Sequence, residues 1–330
     1  MSNKNKNLST EAAVLRWLEH LQTEGLATHS VEAYERDIKH LIRLYPLDNP
    51  NKYDHSHLEF ALGRLQAEHI QPRSLARMLS AWRNFFNWHS EQYQTGYNPT
   101  LGVQAPFGHY PDPEILSIIQ TEQLLNFAAD ATDPVAMRDQ AIFELLYSSG
   151  LRLAEIIALD VQDFNESEPK YTSAGWINLA AQEVEIHASE HRQRTVPMGR
   201  KAITALDNWL QQRHQLLRPE LLLEPNTDWD SFAALFLGVR GQRISPRVIQ
   251  KQLSLRAKEV GITTAVYPHR LRNSFANHLL ESSRDTQGVQ QLLGHATISS
   301  TQSLTQLNPE QLAQFMQAHP RHKKPDKTND

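Results

Sequence analysis

PHRLRNSFANHLLESSRDTQGVQQLLGHATISSTQSLTQL, residues 268–307, is the stretch around which the rest of the chain is organised. It opens with a His-x-x-Arg motif whose two side chains, His269 and Arg272, lie on one face near the start of a predicted helix. A second predicted helix ends at Gly294, and His295 follows in the turn. An arginine and two histidines around a helical hairpin suit a phosphate oxyanion, and such a site would next need a nucleophile.

The composition is typical of a soluble globular protein without thiol chemistry. The 330 residues include 40% hydrophobic and 21% charged side chains and no cysteine, which allows two domains but excludes disulfides and cysteine-zinc sites. The polar N-terminus has no apolar signal core and no apolar run is long enough to cross a membrane, so we expect a cytoplasmic protein. The net charge of −4 does not favour nucleic acid, and any DNA binding would depend on local basic surfaces.

Residues 8–100 are predicted to form an N-terminal domain of four amphipathic helices with almost no strand pattern. The fourth helix carries Arg73, Arg77 and Arg83 on a polar face that also contains small hydroxyl side chains. This face could follow the phosphates of a DNA backbone, and the alternative is a solvated helix surface. Residues 101–116, rich in proline and glycine, are predicted to be an interdomain linker.

A second domain is predicted over residues 117–318, followed by a polar tail at 319–330. Most of it is helical, but residues 175–198 alternate between apolar and polar side chains and are predicted to form strands. We count Arg194, in the last of these strands, among the candidate DNA contacts. The predicted fold class is therefore mainly α with a small β region.

The best basic stripe of the chain lies at residues 237–258, which contain six basic residues and no acidic one. Arg243, Arg247 and Lys251 are spaced three to four residues apart and so share one helix face or its entry. A solvated face is the alternative, but no acid is present for pairing along the helix. The stripe is a candidate DNA-binding surface.

Arg152 lies between a glycine turn at Gly150 and the start of a new helix, with leucines on both sides. A guanidinium matches a phosphate with two parallel hydrogen bonds, so Arg152 is a candidate phosphate ligand. The alternative is a structural ion pair with Glu155 or Asp160.

The segment LLYSSGLRLAE at residues 145–155, the His269/Arg272 pair and Leu-Gly-His at 293–295 resemble motifs of the tyrosine recombinase, or phage integrase, family. The XerC branch is the most similar, and the likeness runs through nearly the whole chain in ordered segments. It implies a helical SAM-like core-binding domain joined to a mixed α/β catalytic domain. The two domains of the family clamp duplex DNA, and four protomers assemble on two recombination sites.

The resemblance also implies a chemistry. In the family two arginines, a lysine on a β-hairpin and two histidines activate the scissile phosphate, and a tyrosine attacks it to form a 3′-phosphotyrosyl link. No metal and no other cofactor take part. Carried over by position, Arg152 and Arg272 would bind the phosphate, and His269 and His295 would hydrogen-bond it and aid proton transfer.

Two positions depart from the family pattern. Leu304 stands where the family has its nucleophilic tyrosine, and Ser189 stands where it has the hairpin lysine that protonates the leaving oxygen. Leucine cannot bond to phosphorus, and loss of a general acid costs about 10²–10⁴-fold in rate. Ser303 and Thr305 are poor substitutes, because on a helix each points about 100° away from position 304.

We therefore expect a XerC-like protein that binds duplex DNA, together with further copies of itself or a recombinase partner, and cannot cleave it. One alternative is an active recombinase that resolves chromosome dimers or integrates DNA. It would use another nucleophile or a tyrosine from a neighbouring subunit. Others are an architectural or regulatory DNA-binding protein and the product of a decaying gene. We expect no membrane partner and no small-molecule substrate, and a location at the bacterial nucleoid.

Overall fold

The chain divides into two compact units, residues 1–111 and 112–330. No helix among the residues described below has the length and apolarity needed to span a membrane. The computed structural model describes residues 8–26, 28–106, 115–127, 130, 132–167, 170–187, 193–218 and 228–293.

The described residues are mainly helical with a small β region, which confirms the predicted fold class. Two short 3₁₀ turns lie at Pro50–Lys52 and Arg213–Gln215. The first unit contains α1 (Thr10–Thr23), α2 (Thr28–Leu44), α3 (His55–Ala67) and α4 (Pro72–Tyr93). The helices of the second unit are α5 (Ile118–Leu125), α6 (Pro134–Ser148), α7 (Leu153–Ala158), α8 (Arg200–Gln212), α9 (Trp229–Ala233), α10 (Pro246–Glu259), α11 (Pro268–Ser283) and α12 (Thr286–Leu293). Its strands are β1 (Asn165–Ser167), β2 (Lys170–Thr172), β3 (Gly175–Asn178), β4 (Glu183–His187) and β5 (Gln193–Pro197).

The four helices of the first unit enclose an aromatic core. Trp17 of α1 and Phe85 of α4 meet edge to face with ring centroids 5.4 Å apart, and Trp82 is fully buried beside them. Trp17 also donates its indole N–H to Asn84 at 2.7 Å, so its polar atom is satisfied inside the core. This packing leaves the polar face of α4 outward.

The core of each unit reaches into the predicted linker. Val103 is 1% exposed and packs in the first core, where its carbonyl accepts a hydrogen bond from Arg83. Leu116 is fully buried in the second core, and its N–H donates to Ser274 Oγ on α11 at 2.8 Å. Residues 107–114, between these two points, lie outside the described residues.

Helix α6 is the centre of the second unit. It is buried on nearly all sides, and α8, α10 and α11 pack around it. Asp133 starts the helix by accepting two backbone hydrogen bonds, and Ser149 ends it. The turn that leaves α6 therefore emerges against α11, which carries the His-x-x-Arg motif.

Strands β3, β4 and β5 form an antiparallel sheet with one buried face. Val184 lies opposite Val196 on that face, and Arg194 lies opposite Ile186. The alternating pattern predicted these three strands. It missed β1 and β2, which form a separate two-stranded hairpin, and it missed α9, because three to five residues are too few to display a period.

Candidate phosphate-binding site

The turn after α6 is held by a glycine that no other residue could replace without strain. Gly150 has φ +55, and a Cβ at this position would lie 2.7 Å from both the Leu293 and the Phe275 side chains. Ser149 Oγ donates to the carbonyl of Pro197 at 3.2 Å, which ties the turn to the end of β5. The turn thus joins the sheet to α11 and α12 and places Arg152 two residues later.

Arg152 is the N-terminal cap of α7, and Glu155 sits in the first turn of that helix. The Glu155 carboxylate accepts the backbone N–H of Arg152 at 2.7 Å and its Nη1 at 2.9 Å. The arginine side chain is 46% exposed, whereas that of Glu155 is 10% exposed. The local sequence therefore fixes Arg152 against its own helix and leaves part of its guanidinium facing solvent.

Arg194 reaches the same carboxylate from the sheet. Its Nη1 and Nη2 donate to the two oxygens of Glu155, each at 2.8 Å. This is the geometry of a bidentate, or two-toothed, arginine–carboxylate pair. Its side chain is only 17% exposed. The sequence placed Arg194 among candidate DNA contacts, and the structure turns both of its terminal nitrogens inward.

Arg272 completes the group from α11. It is 2% exposed, and its guanidinium donates to the carbonyl of Gly150 and, at 2.5 Å, to the carbonyl of Leu293. Burial, together with the positive charges of Arg152 and Arg194, lowers the pKa of Arg272 to about 10. We call Arg152, Arg194 and Arg272, with Glu155, the arginine cluster.

The electrostatics of the arginine cluster favour an anion. Burial alone would raise the pKa of Glu155, but the paired Arg194 and the neighbouring Arg152 outweigh it and hold that pKa below its usual range. Arg152 and Arg194 bind this carboxylate and Arg272 interacts with it through charge alone, so three guanidinium groups stand against one carboxylate and the cluster carries a surplus of positive charge. A phosphate oxyanion is a ligand that this surplus suits.

His269 lies in the first turn of α11, one turn before Arg272, and is exposed. The helix start after Pro268 was predicted and is confirmed. Ser189, His295 and Leu304 lie outside the described residues. Within the described part of the chain, no group of three or more histidine, aspartate or glutamate side chains could hold a metal ion.

The predicted basic stripe is broken at Arg243. This arginine is 14% exposed at its side chain and pairs with Asp160 and Asp230, each at 2.7 Å. It also donates to the carbonyls of Ile157 and Leu159. Internal acceptors that are remote in sequence thus engage the guanidinium of Arg243, and its contact with DNA stays a prediction.

The other predicted DNA contacts lie at the surface. Arg247 and Lys251 are exposed, at the start and in the middle of α10, and Arg73, Arg77 and Arg83 are exposed along α4. Arg77 is 47% exposed and donates at 2.6 Å to Asp37, a buried carboxylate on α2. The buried Asp37 therefore holds the guanidinium of Arg77 in place at the surface.

Sequence reasoning missed the central position of Glu155. Its spacing of three residues from Arg152, in the first turn of a helix, is a usable signal, and Glu155 is one of the two ion-pair partners that the sequence predicts for Arg152. The pair between Arg194 and Glu155 could not be read from the chain, since the two are 39 residues apart and meet only through the fold.

Comparison with protein families covers most of the chain. The phage integrase family model matches residues 115–311, and the model of the phage integrase N-terminal SAM-like domain matches residues 14–92. The chain belongs to the phage integrase family. The arginine cluster and the His-x-x-Arg motif both lie inside the first of these matches.

Curated relatives place this phage integrase chain beside the XerC proteins. It is 39% identical to tyrosine recombinase XerC 1 of Ralstonia nicotianae over 306 residues, which cover 91% of this chain and 90% of that protein. It is 38% identical to tyrosine recombinase XerC of Ralstonia pickettii over 318 residues, covering 94% of each. The chain is therefore a XerC-like member of the family.

Solved structures show the same fold at low sequence identity. A lambda integrase dimer bound to a COC′ core site matches with a TM-score of 0.63 at 14% identity, over 89% of this chain and 98% of that one. The Tn1549 transposon integrase in complex with transposon right end DNA matches with a TM-score of 0.64 at 15% identity, over 91% and 96%.

Proposed function

We propose that this XerC-like protein binds duplex DNA through its arginine cluster and does not cleave it by the tyrosine route of the family. One observation carries the proposal: the two arginine motifs meet in a positive cluster, while the tyrosine and lysine positions are Leu304 and Ser189. The arginines that would bind a phosphate are retained, whereas the nucleophile and the general acid that would cleave it are replaced.

The chemistry separates these two functions. A phosphodiester needs positive charge and N–H donors to be held, and Arg152 offers a partly exposed guanidinium for this. Its cleavage needs an oxygen nucleophile that attacks phosphorus and an acid that protonates the leaving oxygen. A leucine side chain has no such oxygen, and a serine hydroxyl is a far weaker acid than an ammonium group.

Exposed basic residues outside the arginine cluster support DNA as the ligand. Arg247 and Lys251 on α10 and Arg73 and Arg77 on α4 offer further phosphate contacts within their own units. The lambda and Tn1549 integrases named above were solved on DNA, the former as a dimer. Self-association on DNA is accordingly part of the proposal.

The lack of cleavage is tested on a nicked suicide duplex. Its sequence is the one that the protein itself selects from a randomised pool of duplexes. We expect no covalent protein–DNA adduct that survives SDS, whereas XerC of Ralstonia pickettii on its own selected duplex serves as the positive control. A covalent adduct from the unaltered chain would refute the proposal in favour of an active recombinase. The Leu304→Tyr/Ser189→Lys double variant is expected to regain some adduct.

Arg152→Gln tests the binding site on an intact duplex from the same pool. We expect about tenfold weaker binding, because a charged hydrogen bond is lost, and a salt-dependence slope shallower by about 1, because one phosphate contact is lost. Lys201→Gln is the matched control, since it removes the same charge from an exposed position of the same unit. Equal losses in both variants would contradict a specific role for Arg152.

A further inference from the structure

Arg194 is placed for a role other than contacting DNA. Both of its terminal nitrogens are committed to Glu155, and its Nε is buried as well, without a hydrogen-bond partner among the described residues. Only 17% of the side chain is exposed. A DNA phosphate would reach the more exposed Arg152 first, since 46% of that side chain is accessible.

Glu155 poses a difficulty for any phosphate that binds here. Its carboxylate lies inside the arginine cluster, and one oxygen already accepts Arg152 Nη1 at 2.9 Å. A carboxylate and a phosphate present similar oxygens to a guanidinium, so Glu155 is an internal competitor for the site. The competition would be strongest if both oxygens of Glu155 turned to Arg152, three residues away on the same helix start.

We infer that Arg194 is a positioning residue that holds Glu155 in a two-toothed pair and so keeps Arg152 open to a DNA phosphate. The inference rests on the proposed DNA binding and adds a device that regulates its strength. The two-toothed pair fixes both carboxylate oxygens, whereas the Arg152 side chain donates a hydrogen bond to one of them. Arg194 thus raises DNA affinity by restraining the competing anion.

The electrostatics of the group agree with this arrangement. The charges of Arg152 and Arg194 both lower the pKa of Arg272, whereas Glu155 raises it. The three guanidinium groups therefore repel one another, and the carboxylate between them relieves part of this repulsion. A fixed carboxylate provides that relief without closing the site to a phosphate.

A double-variant cycle on the selected duplex separates this role from direct contact. Arg194→Gln should weaken binding about tenfold, and adding Glu155→Gln should restore it to within about threefold of the unaltered protein. The double variant has the net charge of the unaltered chain, so Arg194→Gln combined with Glu122→Gln, an exposed carboxylate of the same unit outside the cluster, is the control for global charge and should stay weak. If Arg194 contacts DNA itself, the double variant stays weak and keeps a reduced salt slope, which would overturn the inference.

Glu155→Gln alone and Arg194→Lys complete the cycle. Glu155→Gln should bind DNA at least as tightly as the unaltered protein, because the competing anion is gone. Lysine keeps the charge of Arg194 but cannot form the two-toothed pair, so Arg194→Lys should bind with intermediate affinity. A Lys variant as weak as the Gln variant, in a chain with unaltered thermal unfolding, would favour a purely geometric role and would still be rescued by Glu155→Gln.

A measurement without DNA separates failure of this inference from failure of the proposed function. Arginine side-chain NMR should show slower guanidinium rotation of Arg152 in Arg194→Gln than in the unaltered protein, because Glu155 then binds it with both oxygens. An unchanged Arg152 signal would overturn the inference whether or not the protein binds DNA. An unaltered protein that does not bind duplex DNA would instead overturn the proposed function.

Discussion

The second unit contains two arginine networks that differ in charge balance. In what we call the Arg243 network, Arg243 pairs with the carboxylates of Asp160 and Asp230, and Tyr171 and backbone carbonyls accept further bonds from it. The charge of Arg213 also acts on Arg243 and Asp160, so two guanidinium groups stand against two carboxylates. In the arginine cluster, three guanidinium groups face the single carboxylate of Glu155. Both networks are largely buried, so burial does not distinguish them.

The balance of charge separates a structural network from a ligand site. Asp160 is fully buried and accepts bonds from Arg243, Tyr171 and Ser173, so its charge is compensated within the fold. The arginine cluster has positive charge left over, and its best-exposed member is Arg152. The charges of the first network are compensated within the fold, whereas the surplus of the second is what the proposed DNA phosphate would neutralise.

The largest expected effect comes from breaking the balanced network. Arg243→Gln leaves the Asp160 carboxylate buried without its cation and should lower the free energy of unfolding by about 3–5 kcal/mol. The control Asp230→Asn removes a carboxylate that is 59% exposed and should cost less than about 1 kcal/mol. Urea denaturation measures both, and equal effects would show that Asp160 is not the dominant partner.

An intermediate effect is expected where packing, rather than pairing, supports the arginine cluster. Gly150→Ala introduces a Cβ 2.7 Å from Leu293 and Phe275 at a positive φ, and overpacking of this kind costs about 1–3 kcal/mol. Gly96→Ala has a similar φ of +65 and open space, so it should cost about 1 kcal/mol.

Affinity for the selected duplex tests whether the Gly150 turn also positions the arginine cluster. Gly150→Ala should weaken DNA binding because the turn carries the acceptor of Arg272. Gly96→Ala should leave binding unchanged. Intact binding by Gly150→Ala would mean that the cluster tolerates displacement of its turn.

The smallest expected effect is the pH dependence of Glu155. Its pKa in the folded protein is held below the ordinary value of 4.5, so its contribution to stability is present above that pH and is lost as the pH falls through the folded pKa. The difference in unfolding free energy between the unaltered protein and Glu155→Gln should therefore shrink below about pH 4.5. Denaturation over a pH series measures it.

Asp139 offers a control of opposite sign. Burial raises the pKa of this carboxyl group in spite of Arg138 beside it. Its contribution to stability is thus greatest below its unfolded pKa and falls as the pH rises. A parallel series on Asp139→Asn should slope the other way, and slopes of the same sign would contradict the opposite pKa shifts of Glu155 and Asp139.

The sequence predicted the elements that are long enough to repeat an apolar spacing, or that begin or end at a residue such as proline or glycine. Helices α1 to α4, α6 and α11 and strands β3 to β5 follow from apolar spacing, and the start of α11 follows from Pro268. Leu304 and Ser189 were found as departures from motifs, which needs no structure. Short elements such as β1 and α9 were missed, because few residues carry too little pattern.

The partners of individual arginines could not be predicted from the sequence as the elements could. Arg243 and Arg247 look alike along the chain, because they lie four residues apart on a basic stripe. Arg243 forms buried ion pairs, however, whereas Arg247 is exposed. Arg194 is predicted to contact DNA, and in the structure it pairs with Glu155. In each case the deciding partner is a carboxylate that is distant in sequence.

The sequence by itself determined the family, the mainly helical fold and the identity of the groups that are present or replaced at the motif positions. These properties depend on side-chain types and on local spacing, and both are written along the chain. Only the tertiary structure decided which arginines are neutralised and which keep surplus charge. Electrostatic balance depends on distance in space, and the fold brings Asp160 to Arg243 and Glu155 to Arg194 across 83 and 39 residues.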